Sequence, residues 1–114
     1  MNQSLLRQLS AETARRGLGA FFIAPSTELT ALIGVSPFYC FRIQGLFILA
    51  DGRCAYLCNL LSADESRKAL PVIPVYAWHD NDGYLNVISE LFEATGLMGK
   101  KIGVNKTVRA FDVL

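Results

Sequence analysis

Cysteines are the first residues in this sequence that could do chemistry, because thiolates bind metals and form disulfides. Cys54 and Cys58 stand four residues apart within GLFILADGRCAYLCN (45–59), and Cys40 stands alone. On an extended strand the first two Cα atoms would lie about 13 Å apart, whereas a disulfide needs about 4.4–6.8 Å. The two cysteines therefore cannot bond to each other or share one metal there. We expect all three cysteines to be small buried thiols.

The only histidine, His79, lies in WHDND (78–82) beside two aspartates. One interpretation is a pair of metal ligands. However, Asp and Asn are also the usual helix caps, and one histidine cannot supply both a metal cluster and a general base. We therefore favour a solvated strand end, with a loop that caps the next helix.

Arg42 is the third candidate, set among aromatic residues in FYCFRIQ (38–44). An arginine in a loop bounded by proline and glycine can hold a carboxylate through two parallel hydrogen bonds. It can also lie at the surface and pack its aliphatic stem on Phe41. Composition alone favours the surface interpretation.

Motifs of many enzyme classes are missing from the sequence. It has no Gly-x-Gly-x-x-Gly, no phosphate-binding loop and no His-Glu-x-x-His. It also has no Gly-x-Ser-x-Gly nucleophile elbow. Without an arrangement of acid, base or nucleophile, an independent enzyme is disfavoured.

Composition predicts one core-rich domain, since 52% of the 114 residues are hydrophobic. Eleven basic and ten acidic residues nearly cancel, which gives no electrostatic reason for binding nucleic acid or an anionic membrane. No apolar run approaches the roughly 18 residues of a membrane helix, and the N-terminus lacks the apolar core of a signal peptide. We therefore expect a cytoplasmic protein that binds neither nucleic acid nor membrane.

Helical and extended segments alternate along the chain, which predicts an α/β fold with a mixed β-sheet flanked by helices. The predicted helices are 3–16, a short turn over 26–35, 61–70, 83–96 and the start of another over 107–114. The predicted strands are 20–25, the two halves of the hairpin 45–59, 72–78 and 100–106. Pro74 favours a sheet edge for strand 72–78. The hairpin is predicted from Asp51-Gly52, two residues that both tolerate positive φ.

Helix 83–96 has the clearest amphipathic pattern. Residues 80–83 are predicted to form a loop and the helix N-cap. The apolar face of the helix is predicted to hold Leu85, Ile88, Leu91 and Phe92.

The order of these segments resembles the N-terminal domain of the creatinase/prolidase/aminopeptidase P family, the pita-bread metallopeptidases. The resemblance begins with RQLSAETARRGLGAFFIAP and continues through ALIGV (31–35), the hairpin and SADESRKAL to KKIGVNK (100–106). Family members carry a Tyr-Leu-Thr-Gly-Phe-like motif at the second of these and Lys-x-Ile-Gly-Val-Glu at the last. This chain departs from those motifs at Ala31, Ile33 and Asn105. The resemblance implies a ribonuclease H-like α/β motif.

The resemblance also implies that catalysis belongs to a different domain of a longer protein. In the family a longer C-terminal domain carries catalysis and two divalent metals held by Asp, His and Glu. Residues 1–114 are therefore expected to be a single domain without catalytic residues, metal or other cofactor of its own. Its expected partners are the C-terminal catalytic domain of an Xaa-Pro dipeptidase, aminopeptidase or creatinase-like parent and, in a homo-oligomer, further copies of the chain.

The family's substrate-proximal loop corresponds here to residues 37–44. Creatinase-like members have an arginine at a place similar to Arg42, so the resemblance raises the case for a functional Arg42, with Tyr39 and Phe41 as neighbours that shape the site. The alternative is a stand-alone α/β module that holds a small ligand near Arg42.

Overall fold

The computed structural model describes residues 2–34 and 43–105. The helices are α1 (Gln3–Arg15), α2 (Thr27–Ile33), α3 (Ala63–Ala69) and α4 (Leu85–Thr95), with a 3₁₀ turn at Leu60–Ser62. The strands are β1 (Ala20–Ile23), β2 (Gly45–Leu49), β3 (Cys54–Asn59), β4 (Val75–Trp78) and β5 (Ile102–Val104). The predicted helix over 107–114 lies outside the described residues.

One five-stranded sheet organises the fold, in the order β4-β3-β2-β1-β5. The β1–β5 and β3–β4 pairs are parallel, whereas β2 is antiparallel to both of its neighbours. Four strands therefore run in one direction and only β2 runs in the other. This confirms the predicted mixed sheet.

Each face of the sheet carries its own apolar core. Helices α1, α2 and α3 cover one face, where Leu6, Leu29 and Ile48 are buried. Helix α4 covers the other face, where Phe22, Phe47 and Leu91 meet. A sheet covered on both faces explains the continuous apolar run of β1.

The β2–β3 hairpin forms where Asp51-Gly52 predicts it, but with a different turn. The Leu49 amide donates to the Arg53 carbonyl and the Gly52 amide to the Leu49 carbonyl, which leaves a three-residue loop, 50–52. Among the described residues positive φ occurs only at glycines, here Gly52 at 96°. Such loops need one left-handed residue, not two, so the prediction of positive φ at Asp51 is wrong.

The edge position predicted for strand 72–78 is confirmed, since β4 is the outermost strand beside β3. The strand is shorter than predicted because it begins at Val75, and Val72 is 80% exposed. Pro74 lies just before it and contributes its carbonyl, which accepts a hydrogen bond from the Tyr56 amide. A proline can accept in this way although it cannot donate.

The apolar face of α4 is displaced from the predicted one. Leu91 is fully buried, and Ile88 and Phe92 pack against the core, but Leu85 is 67% exposed. Leu85 opens the helix, with Tyr84 as its N-cap, and no side chain of the preceding loop caps it. Tyr84 and Val87, which were not predicted on this face, pack against the core instead, so the buried face is displaced away from Leu85.

None of the described helices is both long and apolar enough to cross a membrane.

Candidate functional site

The residues considered for function lie along one edge of the sheet, where one end of each of the five strands is found. Because β1, β3, β4 and β5 run in the same direction, their carboxyl ends meet there, next to the start of β2 at Gly45. We call it the carboxyl edge. In open α/β sheets this is the edge at which ligands usually bind.

The predicted substrate-proximal residues Tyr39, Phe41 and Arg42 lie outside the described residues, as does Cys40. The structure does describe Ile43 and Gln44, which follow Arg42 directly and lead into β2. Both are buried, at 7% and 6% exposure. The chain therefore enters the carboxyl edge from Arg42 through two buried residues.

Two buried hydrogen bonds hold this entry. The Trp78 indole Nε1 donates to the Ile43 carbonyl at 3.1 Å, and the Gln44 side-chain Nε2 donates to the Tyr56 hydroxyl at 2.7 Å. Trp78 ends β4 and Tyr56 lies in β3. The sequence pattern gave no signal for either contact, because the partners lie 35 and 12 residues apart.

At the β1–β5 side of the carboxyl edge, Asn105 joins the end of β5 to the start of α2. Its side-chain Oδ1 accepts from the Ala24 amide at 3.1 Å, and its Nδ2 donates to the Ser26 hydroxyl at 3.2 Å. The same hydroxyl accepts from the Leu29 amide and so caps α2. Asn105, one of the departures from the family motif, thus has a structural role here.

At the β3–β4 side, Asn59 and Asp80 form a polar contact. The Asn59 Nδ2 donates to the Asp80 carboxylate at 2.9 Å, while its Oδ1 accepts from the Leu61 amide. Asn59 is 4% exposed, so both of its amide atoms need such partners. This bond fixes the end of β3 to the residues that follow β4.

His79 lies exposed at the end of β4, as the strand-end interpretation predicts. Its Nδ1 accepts from the Asn81 amide, and its carbonyl accepts from the amides of Asp82 and Gly83. The prediction that this loop caps the next helix is wrong, because the α4 N-cap is Tyr84. The described residues contain no group of three His, Cys, Asp or Glu side chains that could hold a metal.

The two described cysteines are free thiols on one face of β3. Cys54 is half-buried and Cys58 is fully buried. Burial raises the pKa of both thiols, and for Cys58 a hydrogen bond with Ser66 and the charge of Arg67 act in the opposite direction. The prediction of buried thiols is confirmed for Cys58 and met only in part at Cys54.

No protein-family model matches the chain, and neither does any curated protein. Solved structures do match. A dipeptidase from Pyrococcus horikoshii OT3 is similar over 95% of this chain and 30% of its own, with a TM-score of 0.78 and 24% identity. The N-terminal domain of an Xaa-Pro dipeptidase from Lactobacillus brevis is similar over 96% of this chain and 82% of its own, with a TM-score of 0.84 and 14% identity.

A third match is the creatinase/prolidase N-terminal domain of an X-Pro dipeptidase from Streptococcus pyogenes, over 90% of this chain and 94% of its own, with a TM-score of 0.67 and 12% identity. The chain thus has the fold of these N-terminal domains, which confirms the predicted fold. It spans about a third of the whole Pyrococcus dipeptidase.

Proposed function

We propose that residues 1–114 form the non-catalytic N-terminal domain of a longer Xaa-Pro dipeptidase-like or creatinase-like metallohydrolase. The observation that carries this proposal is the similarity of fold over 96% of the chain to an N-terminal domain of an Xaa-Pro dipeptidase. The 30% coverage of a whole dipeptidase chain supports a larger protein around the domain.

Catalysis and the two divalent metals belong, in this proposal, to the C-terminal domain of that protein. The described residues do not fit a metal of their own, because His79 is exposed and its Nδ1 already accepts a backbone hydrogen bond. Asp80, the carboxylate that follows it, is bonded to Asn59. No step of the reaction is therefore assigned to the described residues.

The role proposed for the carboxyl edge is to form part of the active-site rim. Arg42 directly precedes Ile43 and Gln44, which lead into this edge, and its guanidinium would bind a substrate carboxylate through paired hydrogen bonds. Tyr39 and Phe41 would shape the space around it. The domain would also contribute contacts to a homo-oligomer.

Two experiments test the proposal. The complete reading frame that contains residues 1–114 is expected to encode spaced Asp, Asp, His, Glu and Glu residues downstream. In the protein it encodes, Arg42→Ala is expected to lower kcat/KM for an Xaa-Pro dipeptide or for creatine by the equivalent of about 2–5 kcal/mol, the usual effect of removing one partner of a desolvated charge pair.

The matched control is Arg7→Ala, since Arg7 is exposed on α1. A solvated arginine changes the activity or stability by no more than about 0.5 kcal/mol. If Arg42→Ala behaves like Arg7→Ala, the rim role is contradicted and Arg42 is a surface residue. A reading frame without the downstream ligands would favour the stand-alone ligand-binding module.

A further inference from the structure

Ile43 and Gln44 lie outside the strands but are held by buried hydrogen bonds. Both precede β2, yet both are buried, and each takes part in a buried hydrogen bond with a residue of another strand. The Trp78 indole binds the backbone of Ile43, and the Tyr56 hydroxyl binds the side chain of Gln44. We call these two bonds the anchors.

The anchors reach the chain from opposite faces of the sheet. Ile43 and Trp78 belong to the core on the α4 side, whereas Tyr56 belongs to the core under α1, α2 and α3. Side chains of consecutive residues point to opposite faces of a sheet. A movement of the segment toward either face therefore breaks a hydrogen bond on the other.

Strand register explains how Trp78 reaches a strand that is not its neighbour. Gly45 pairs with Leu57 across the antiparallel β2–β3 ladder, and continuing this register by two residues places Ile43 opposite Asn59. Asn59 in turn pairs with Trp78. On this continuation the Trp78 indole crosses the end of β3 to reach the Ile43 carbonyl.

Core packing alone would not require these polar groups. An apolar side chain would fill the buried position of Gln44 without needing a partner, and a phenylalanine ring would fill the space of the Tyr56 ring. The Gln44 amide and the Ile43 carbonyl are instead paired, so that losing the Tyr56 hydroxyl or the Trp78 N–H removes a buried hydrogen bond from one of them.

We propose that Tyr56 and Trp78 are positioning residues, which fix the direction of the chain at Ile43 and Gln44 and thereby the place from which Arg42 projects. This rests on the role given to Arg42 above. The anchors make the entry to β2 rigid, so that the arginine presents its guanidinium to a substrate carboxylate without first ordering the chain beside it.

Trypsin cleavage after Arg42 tests the anchors on this chain. The protease must detach Ile43 and Gln44 from their anchors to bind the Arg42–Ile43 bond, so its rate follows the population in which these two residues are released. Tyr56→Phe and Trp78→Phe are each expected to raise the rate about 5- to 100-fold, the range that corresponds to one unpaired buried polar group.

Two controls accompany this measurement. Tyr76→Phe makes the same chemical change at a half-buried tyrosine of β4 and is expected to leave the rate unchanged. Cleavage after Lys68, which is exposed on α3, reports general unfolding within each variant. An unchanged rate at Arg42, or an equal rise at Lys68, overturns the proposal.

A second measurement needs no variant of the tryptophan. Trp78 is the only tryptophan of the chain, so its indole N–H gives a single resonance in a ¹H–¹⁵N spectrum. In D₂O this proton is expected to exchange about tenfold or more slowly than in the denatured chain. Tyr56→Phe should accelerate the exchange and Tyr76→Phe should not. Exchange at the denatured rate overturns the proposal.

The complete protein separates the anchors from the role of Arg42. Tyr56→Phe is expected to lower kcat/KM mainly through a higher KM, and to add nothing once Arg42→Ala is present. Full additivity of the two losses overturns the positioning role. An unchanged kcat/KM in Arg42→Ala contradicts the proposed function. An unchanged rate of trypsin cleavage in the anchor variants contradicts the anchors, and that measurement needs only residues 1–114.

Discussion

At the scale of single residues, the cysteines behave as core residues and not as a reactive pair. Cys54 and Cys58 share one face of β3 and pack against the core under α1 and α3. Burial raises the pKa of both thiols. Since the thiolate is the reactive form, this placement makes both groups poor nucleophiles at neutral pH.

Thiol titration tests this placement. Under native conditions Cys58 is expected to react with a thiol reagent more slowly than half-buried Cys54, and denaturant should expose all three thiols, that of Cys40 included. A native mass two hydrogens below that of the reduced chain would contradict free thiols.

The same burial gives a pH dependence of stability. Because the pKa of these thiols is higher in the folded than in the unfolded chain, the unfolded chain loses the thiol protons at lower pH. The contribution of the thiols to stability is therefore complete below the ordinary cysteine pKa and is lost as the pH rises through the raised pKa. Urea unfolding of the native chain should therefore show a steeper alkaline loss than unfolding of Cys58→Ala. Equal slopes would mean that the Cys58 thiol ionises as easily folded as unfolded.

The properties of single residues could be predicted from the sequence where they depend only on the spacing of neighbouring residues. The distance between Cys54 and Cys58 follows from the rise of a strand alone. The contact of Trp78 with Ile43 does not, because it requires the register of β2 on β3 and of β3 on β4 together. Arg42 stays a prediction from resemblance.

At the scale of the elements, Gly45 allows β1 and β2 to lie close together. A Cβ built on Gly45 would lie 2.4 Å from the Ile23 carbonyl oxygen and 2.7 Å from the Phe22 ring. The oxygen belongs to the backbone of the neighbouring strand and cannot rotate away. The start of β2, where the anchors hold the chain, therefore depends on the absence of a side chain.

Two alanine substitutions distinguish the loss of stability caused by this close contact from the loss caused by backbone strain. Gly45→Ala is expected to destabilise the domain by about 2–3 kcal/mol, as overpacking does. Gly52→Ala meets no atom within 4 Å but must adopt a φ of 96°, and strain of that kind costs about 1 kcal/mol. Urea denaturation measures both, and a cost at Gly45 no larger than at Gly52 would show that the strands can move apart freely.

The order and type of the elements could be predicted from the sequence, but several details could not. The hairpin and the edge strand follow from Asp51-Gly52 and Pro74, which act through their own backbone. The exposure of Leu85 depends instead on which side of α4 lies against the sheet, since Tyr84 and Val87 pack against the core there. Helical periodicity groups residues on one side of a helix but does not fix where the centre of the covered side lies.

At the scale of the whole molecule, a single reversed strand defines the candidate site. Because β2 alone runs against the other four strands, its start lies among their carboxyl ends, and the chain arriving from Arg42 enters there. The polar contacts of Asn59 and Asn105 flank this entry on both sides. The described part of the edge is thus bordered by residues whose side chains are held in hydrogen bonds.

Residues 1–114 alone are therefore expected not to hydrolyse Xaa-Pro dipeptides or creatine, with or without added manganese, cobalt or zinc. A di-metal hydrolase needs several carboxylate and imidazole ligands converging on one point. The chain has one histidine, and its described residues contain no cluster of three potential ligands. The measurement is a hydrolysis assay across a final size-exclusion peak, with the complete protein under the same metals as the positive control. Turnover that requires metal, follows the protein through the peak and survives a second purification would show that this domain carries a catalytic site of its own.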